Sequence, residues 1–109
     1  MLQDAVRAKT DIDTDEMLEN AEMASSFLKA LANPNRLMIL CLLAEGELSV
    51  SQLEARLSLR QPTLSQQLAR LRADNLVTTR RDAKNIYYSL ASTEAKAVIG
   101  LLYDLFCET

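Results

Sequence analysis

The chain has 109 residues, 49% apolar and 25% charged, with two glycines, two prolines, two cysteines and no histidine. This is the size of one small, mostly helical, ordered domain, whose core a partner subunit is expected to complete. The longest apolar run, Leu37 to Ala44, is far short of the ~20 residues that cross a bilayer, no secretory leader is visible, and a cytoplasmic protein with free thiols rather than a permanent disulfide is expected.

Residues 1 to 13 carry no clear period and are expected to fray, leaving a domain over 14–109. From Asp15 the spacing of Leu18, Ala21, Ala24, Ser25, Leu28 and Leu31 predicts a helix, widened on its apolar side by Met17, Met23 and Phe27. Thr14 or Asp15 is the expected cap, with acids in the first turn favouring the helix dipole. Asn33-Pro34 is a sharper start signal and opens a helix over Asn35 to Ala44. That helix is apolar nearly all round, so it is expected to be the central buried one, ending with Gly46 as a left-handed cap. Ser49 then caps Val50 to Leu57, with Leu53 and Leu57 inward and Leu59 packing from the turn that follows.

The next helix carries the main functional signal. Leu64, Leu68 and Leu71 form one buried stripe, and at about 100° per residue Pro62, Thr63, Gln66, Ala69 and Arg70 fall opposite it, with Ser65 at the margin. That outward face holds amides, hydroxyls and a cation but no acid, as suits a helix in a DNA major groove. Asp74-Asn75 ends it, Asn75 taking the left-handed conformation. Leu76 to Arg80 and Asn85 to Leu90 then read as two strands joined through Arg81-Asp82-Ala83-Lys84. Helix, turn, helix and basic hairpin together make a winged helix. After the hairpin, Ser92-Thr93-Glu94-Ala95 resembles a capping segment for a last helix reaching about Cys107. Its stripe of Val98, Leu101, Leu102 and Leu105, with the first helix, is the expected homodimer interface. Two-fold symmetry suits a pseudo-palindromic duplex site with half-sites about one turn apart.

A net charge of −3 at first argues against a polyanionic partner. The charge is segregated, however. Arg56 to Lys84 holds seven cations and two acids, a local balance of +5, whereas Met1 to Ala30 holds three cations and seven acids, a balance of −4. Phosphate feels the local field, screened over about 8–10 Å, so the basic segment decides. Double-stranded DNA is therefore the expected partner, with Thr63, Ser65 and Gln66 near bases, Gln67 and Arg70 at bases or backbone, and Gln61 as a further DNA-binding residue. Arg80, Arg81 and Lys84 are the expected wing contacts to phosphate. A helical interaction module without DNA contact is the competing reading, and the acid-free face and basic segment argue against it. An enzyme is weaker still, since there is no histidine, no glycine-rich phosphate loop and no general base beside either cysteine.

Over about Met23 to Cys107 the sequence resembles the ArsR/SmtB family of bacterial winged-helix repressors. LKALANPNRLMILCLL is similar to the family's opening segment, and ELSVSQLEARLSLRQPTLSQQLARLRADNLVTTRRDAKNIYYSL to its reading helix and wing. The resemblance implies a mainly α, winged helix-turn-helix homodimer that blocks transcription until an inducer releases it. Metal-sensing members carry two cysteines where this chain has Ser49 and Ser51, and others use histidines this chain lacks. Hydroxyls do not replace thiolates for soft metals, so no metal or cofactor is expected. A metal-sensing repressor remains an alternative through Asp104 and Glu108, a carboxylate pair at i, i+4 on the last helix. Cys41 taken alone reads as a small buried hydrophobe. Cys107 lies away from the Val98–Leu101–Leu105 stripe, on the side of Tyr103. One cysteine early in the chain's second helix and one at the end of its last resemble the sulfur- and redox-responsive subgroup of SqrR, BigR and HlyU-like regulators. That resemblance implies a Cys41–Cys107 switch closed by persulfide or other reactive sulfur species, with repression, or activation in HlyU-like fashion, as the outcome.

Overall fold

A computed structural model describes residues 13–107. Five helices and a three-stranded antiparallel sheet follow in the order α1 (Thr14–Leu31), α2 (Pro34–Ala44), β1 (Leu48–Ser49), α3 (Val50–Arg56), α4 (Gln61–Ala73), β2 (Val77–Asp82), β3 (Asn85–Leu90) and α5 (Thr93–Phe106). This is a mainly helical winged helix. The expectation for the N-terminal segment falls outside the described residues apart from Asp13, which caps α1 by accepting from the Asp15 N–H at 3.1 Å. The cap thus lies one residue before the two candidates.

Local chemistry sets most of the other boundaries. Asn33 accepts from the Arg36 N–H ahead of Pro34, the first residue of α2. Ser49 and Gln52 form a reciprocal capping box on α3, the Ser49 hydroxyl accepting from Gln52 N–H and the Gln52 amide oxygen from Ser49 N–H. Ser92 caps α5 by accepting from Ala95 N–H. No box forms there, because Ala95 occupies the third position and Glu94 instead accepts from the Thr93 hydroxyl. Asn75 ends α4 with φ of 60°. Gly46 departs from expectation: Glu45 caps α2 in right-handed geometry, and Gly46 opens the next segment at φ of 155°.

The sheet order is β1-β3-β2, with Leu48 and Ser49 paired to Tyr88 and Tyr87, and Val77 through Asp82 paired to Leu90 through Asn85. The third strand is only two residues long, too short to leave an alternating pattern in the sequence. The wing turn is tighter than expected. Arg81 and Asp82 belong to β2, so Ala83 and Lys84 alone turn the chain, with Ala83 at φ of 57°. Ala83 therefore occupies the glycine-favoured first central position of a hairpin turn.

The core gathers Ile39, Leu40 and Leu43 of α2, Leu53 and Leu57 beside α3, Leu64, Leu68 and Leu71 of α4, Leu76, Val77 and Leu90 of the wing base, and Ala95 and Ile99 of α5. α2 is central but not wholly enclosed, since Met38 is exposed and Leu37, Cys41 and Leu42 are half-buried. Two faces stay apolar and open, with Met23 at 71% exposure on α1 and Leu105 and Phe106 at 64% and 78% on α5. Among the described residues no single helix is long and apolar enough to cross a membrane.

Candidate nucleic-acid interface and thiol pair

α4 is positioned by its leucine stripe, all three residues buried. The stripe turns Pro62, Ser65, Gln66, Ala69 and Arg70 outward and leaves Thr63 half-buried. Gln66 is exposed and its side chain makes no hydrogen bond within the described residues, so its amide is free for a base edge. Gln61, with its amide oriented to suit both neighbours, donates to the Glu54 carboxylate at 2.9 Å and accepts from the Ser65 hydroxyl at 3.3 Å. It thereby ties the start of α4 to α3. No side chain caps α4, whose preceding residue Arg60 is exposed. Arg70 pairs with Asp74 at 2.9 Å, a surface pair that a phosphate can displace at small cost.

Two predicted contacts sit elsewhere. Gln67 is half-buried, and its amide oxygen accepts from Arg36 Nη1 at 3.2 Å. Arg36 also donates to the carbonyls of Ala30 at 2.6 Å and Lys29 at 3.3 Å, so Gln67 serves the joint between α1, α2 and α4 rather than the outward face. Arg80 donates from Nε and Nη2 to both carboxylate oxygens of Glu47, 2.7 Å each. The pair engages the guanidinium that the sequence reading offered to phosphate. Arg81 and Lys84 are exposed and have no acidic partner within salt-bridge distance among the described residues. Sequence reasoning missed Arg36 and Glu47. A lone arginine in the otherwise apolar RLMILCLL helix was the available signal for Arg36. Nothing local marks Glu47, which lies 33 residues from its partner.

The sheet sorts the wing cations by face. Strand residues alternate, so Thr79, Arg81, Ile86 and Tyr88 share one face, and Thr78, Arg80, Asp82 and Tyr87 the other. Tyr88 borders Ser65, Leu68 and Ala69 of α4 across one cleft, and Lys84 and Ile86 border Gln61 across another. Arg81 and Lys84 are thus on the reading-helix side, and Arg80 on the reverse.

The second predicted constellation is far from the wing. Leu37, Cys41, Leu102, Tyr103, Phe106 and Cys107 line an apolar cleft of about 340 Å³ between α2 and the end of α5. Cys41 is half-buried, Cys107 is exposed, and both are free thiols. Burial, and then the neighbouring charge of Cys107, push the Cys41 thiol above its ordinary value. Among the described residues no three His, Cys, Asp or Glu side chains converge as metal ligands, and Glu108 lies outside them. The Ser49 hydroxyl is already engaged as a helix cap.

Comparison with known proteins accounts for this architecture. Residues 33–79 match the family model described as bacterial regulatory protein, arsR family. The chain is 53% identical to the transcriptional activator HlyU of Vibrio cholerae, over 85% of this chain and 86% of that one. It is 50% identical to the biofilm growth-associated repressor of Agrobacterium fabrum, over 89% of this chain and 83% of that one. The solved structure of reduced HlyU from Vibrio cholerae superposes with a TM-score of 0.81 at 53% identity, covering 84% of this chain and 97% of that one. With a reading helix, a wing and relatives of this closeness, the chain belongs to the ArsR family of helix-turn-helix transcriptional regulators, which bind double-stranded DNA and are not enzymes.

Proposed function

We propose that the protein is a homodimeric repressor released from its operator when Cys41 and Cys107 become linked. The observation that carries this reading is the apolar cleft that the two thiols share. The solved relative named for its reduced state agrees with a redox-responsive group. Cys107, exposed at the end of α5, attacks first. Its thiolate takes the outer, sulfane sulfur of a small persulfide RSSH, forming Cys107–S–SH and releasing RSH. The Cys41 thiolate then attacks the Cys107 sulfur, and hydrosulfide leaves. The sum is one RSSH and two thiols giving one disulfide, RSH and hydrogen sulfide, the sulfane sulfur being reduced and the thiols oxidised. Burial of Cys41 suits it to this second, intramolecular step, where a high effective concentration offsets a scarce thiolate.

A link between α2 and α5 biases the helix that carries the open Leu105–Phe106 face, and with it the spacing of two reading heads in the dimer. A coupling of about 1–3 kcal/mol is enough to lower operator affinity roughly 5- to 150-fold. The dimer is supported by the exposed apolar faces of α1 and α5. Gln66, Thr63 and Ser65 take the base-reading role, with Arg81 and Lys84 on phosphate.

The test is operator binding before and after treatment with a persulfide donor, with intact mass recorded on the same sample. Wild type loses affinity as its mass falls by two hydrogens, whereas Cys41→Ser and Cys107→Ser bind DNA normally and do not respond. A double variant that still releases DNA overturns the switch. A second reading, activation by displacing a silencing protein, is favoured by the activator among the relatives. It predicts a bound site upstream of the promoter rather than over it.

A further inference from the structure

Of the two consecutive wing arginines, one is held inside the subunit. Arg80 meets Glu47 through two parallel N–H···O bonds of 2.7 Å, the geometry in which guanidinium and carboxylate bind most strongly. Its Cζ sits 4.6 Å above the Tyr87 ring, and Asp82 approaches Nη1 at 3.8 Å. Arg80 on β2 lies opposite Tyr87 on β3, and Tyr87 lies opposite Ser49 on β1. The guanidinium therefore crosses the central strand and stitches the far strand of the wing to the segment that leaves α2. Among the described residues Glu47 and Asp82 are the acids in salt-bridge reach of it, and Arg81 projects from the opposite face of the sheet.

We propose that Glu47 is a positioning residue for DNA binding: it withholds Arg80 from phosphate and pins the wing, so that Arg81 and Lys84 alone supply the wing's backbone contacts. This rests on the wing touching the duplex. A pinned wing presents two cations in one fixed pose towards α4. An unpinned one adds a third cation on the reverse face and loosens the angle at which the other two meet the backbone.

The dependence of binding on salt counts phosphate contacts, with the logarithm of affinity falling by about 0.9 per contact for each tenfold rise in salt. The full-length protein is titrated against a mixed-sequence duplex of about three helical turns between low and moderate salt. Arg80→Met leaves the wild-type slope unchanged, whereas Arg81→Met and Lys84→Met, each removing one contact per wing and so two per dimer, make it shallower by about 1.8. Glu47→Gln frees Arg80 in both wings of the dimer, making the slope steeper by about 1.8 and binding several-fold tighter at low salt. Glu47→Asp keeps the wild-type slope. The Glu47→Gln, Arg80→Met double variant also returns to it, which separates a released cation from the mere loss of a negative charge. A shallower slope for Arg80→Met overturns the proposal, because Arg80 then reaches phosphate in spite of Glu47. An unchanged slope for both Arg81→Met and Lys84→Met overturns it differently, by removing the wing from the interface altogether.

Discussion

α4 and α1 are both amphipathic helices, but the subunit treats them in opposite ways. α4 buries its entire leucine stripe and shows only polar and small side chains. α1 buries Ala30 and Leu31 at its very end and leaves Met17, Leu18, Met23 and Leu28 in the open. The apolar stripe of the reading helix is therefore covered within one chain, whereas α1 and the end of α5 each leave large apolar side chains exposed. Apolar area in that arrangement stabilises only when a second surface covers it.

The largest effect that tests the contrast is a cavity in the finished half. Leu68→Ala lowers unfolding free energy by about 3 kcal/mol, read as a shift of the urea midpoint at fixed protein concentration. A loss under about 1 kcal/mol would mean that α4 is not seated as described. Next comes the unfinished half. Leu105→Glu or Met23→Glu weakens self-association at least tenfold, about 1.4 kcal/mol, in sedimentation equilibrium while helix content at high concentration is retained. An unaltered association constant would make that face ordinary surface. A smaller effect lies at the wing tip, where Ala83→Gly relieves the positive φ and stabilises by about 0.5–1 kcal/mol. No gain would show that the turn relaxes without it.

The smallest effect concerns acid. Arg80 holds the Glu47 carboxyl below its ordinary range. A depressed folded-state value means that the pair contributes fully above the ordinary glutamate range and is lost as pH falls through the depressed one. The carboxyl resonance of Glu47 should titrate at lower pH in wild type than in Arg80→Met. Coincident midpoints would sever the pair in solution.

Features written in adjacent residues were legible in the sequence. Asn33-Pro34, Ser49, Ser92 and Asn75 each announce a helix boundary through a side chain or a dihedral that acts within three or four positions. The leucine stripe of α4 and the hairpin after it are periodic signals of the same local kind. Arg36 with Gln67 and Arg80 with Glu47 were not legible, because the partners are 31 and 33 residues apart and only the fold brings them together. Each pairing engages, inside the subunit, one side chain that the sequence reading offered to DNA. The strand β1 escaped notice because two residues cannot establish a period. The cysteines fall between these cases. Their separate helices and the side of α5 that carries Cys107 could be read, but not the cleft that both of them line.

Arg36 has one more consequence. It bolts the base of α1 to α4 through the carbonyls of Ala30 and Lys29 and the amide of Gln67. The 18 residues of α1 extend ~27 Å from that joint. A tilt of α1 about that joint therefore strains the bond by which Arg36 reaches the reading helix, the contact to Gln67.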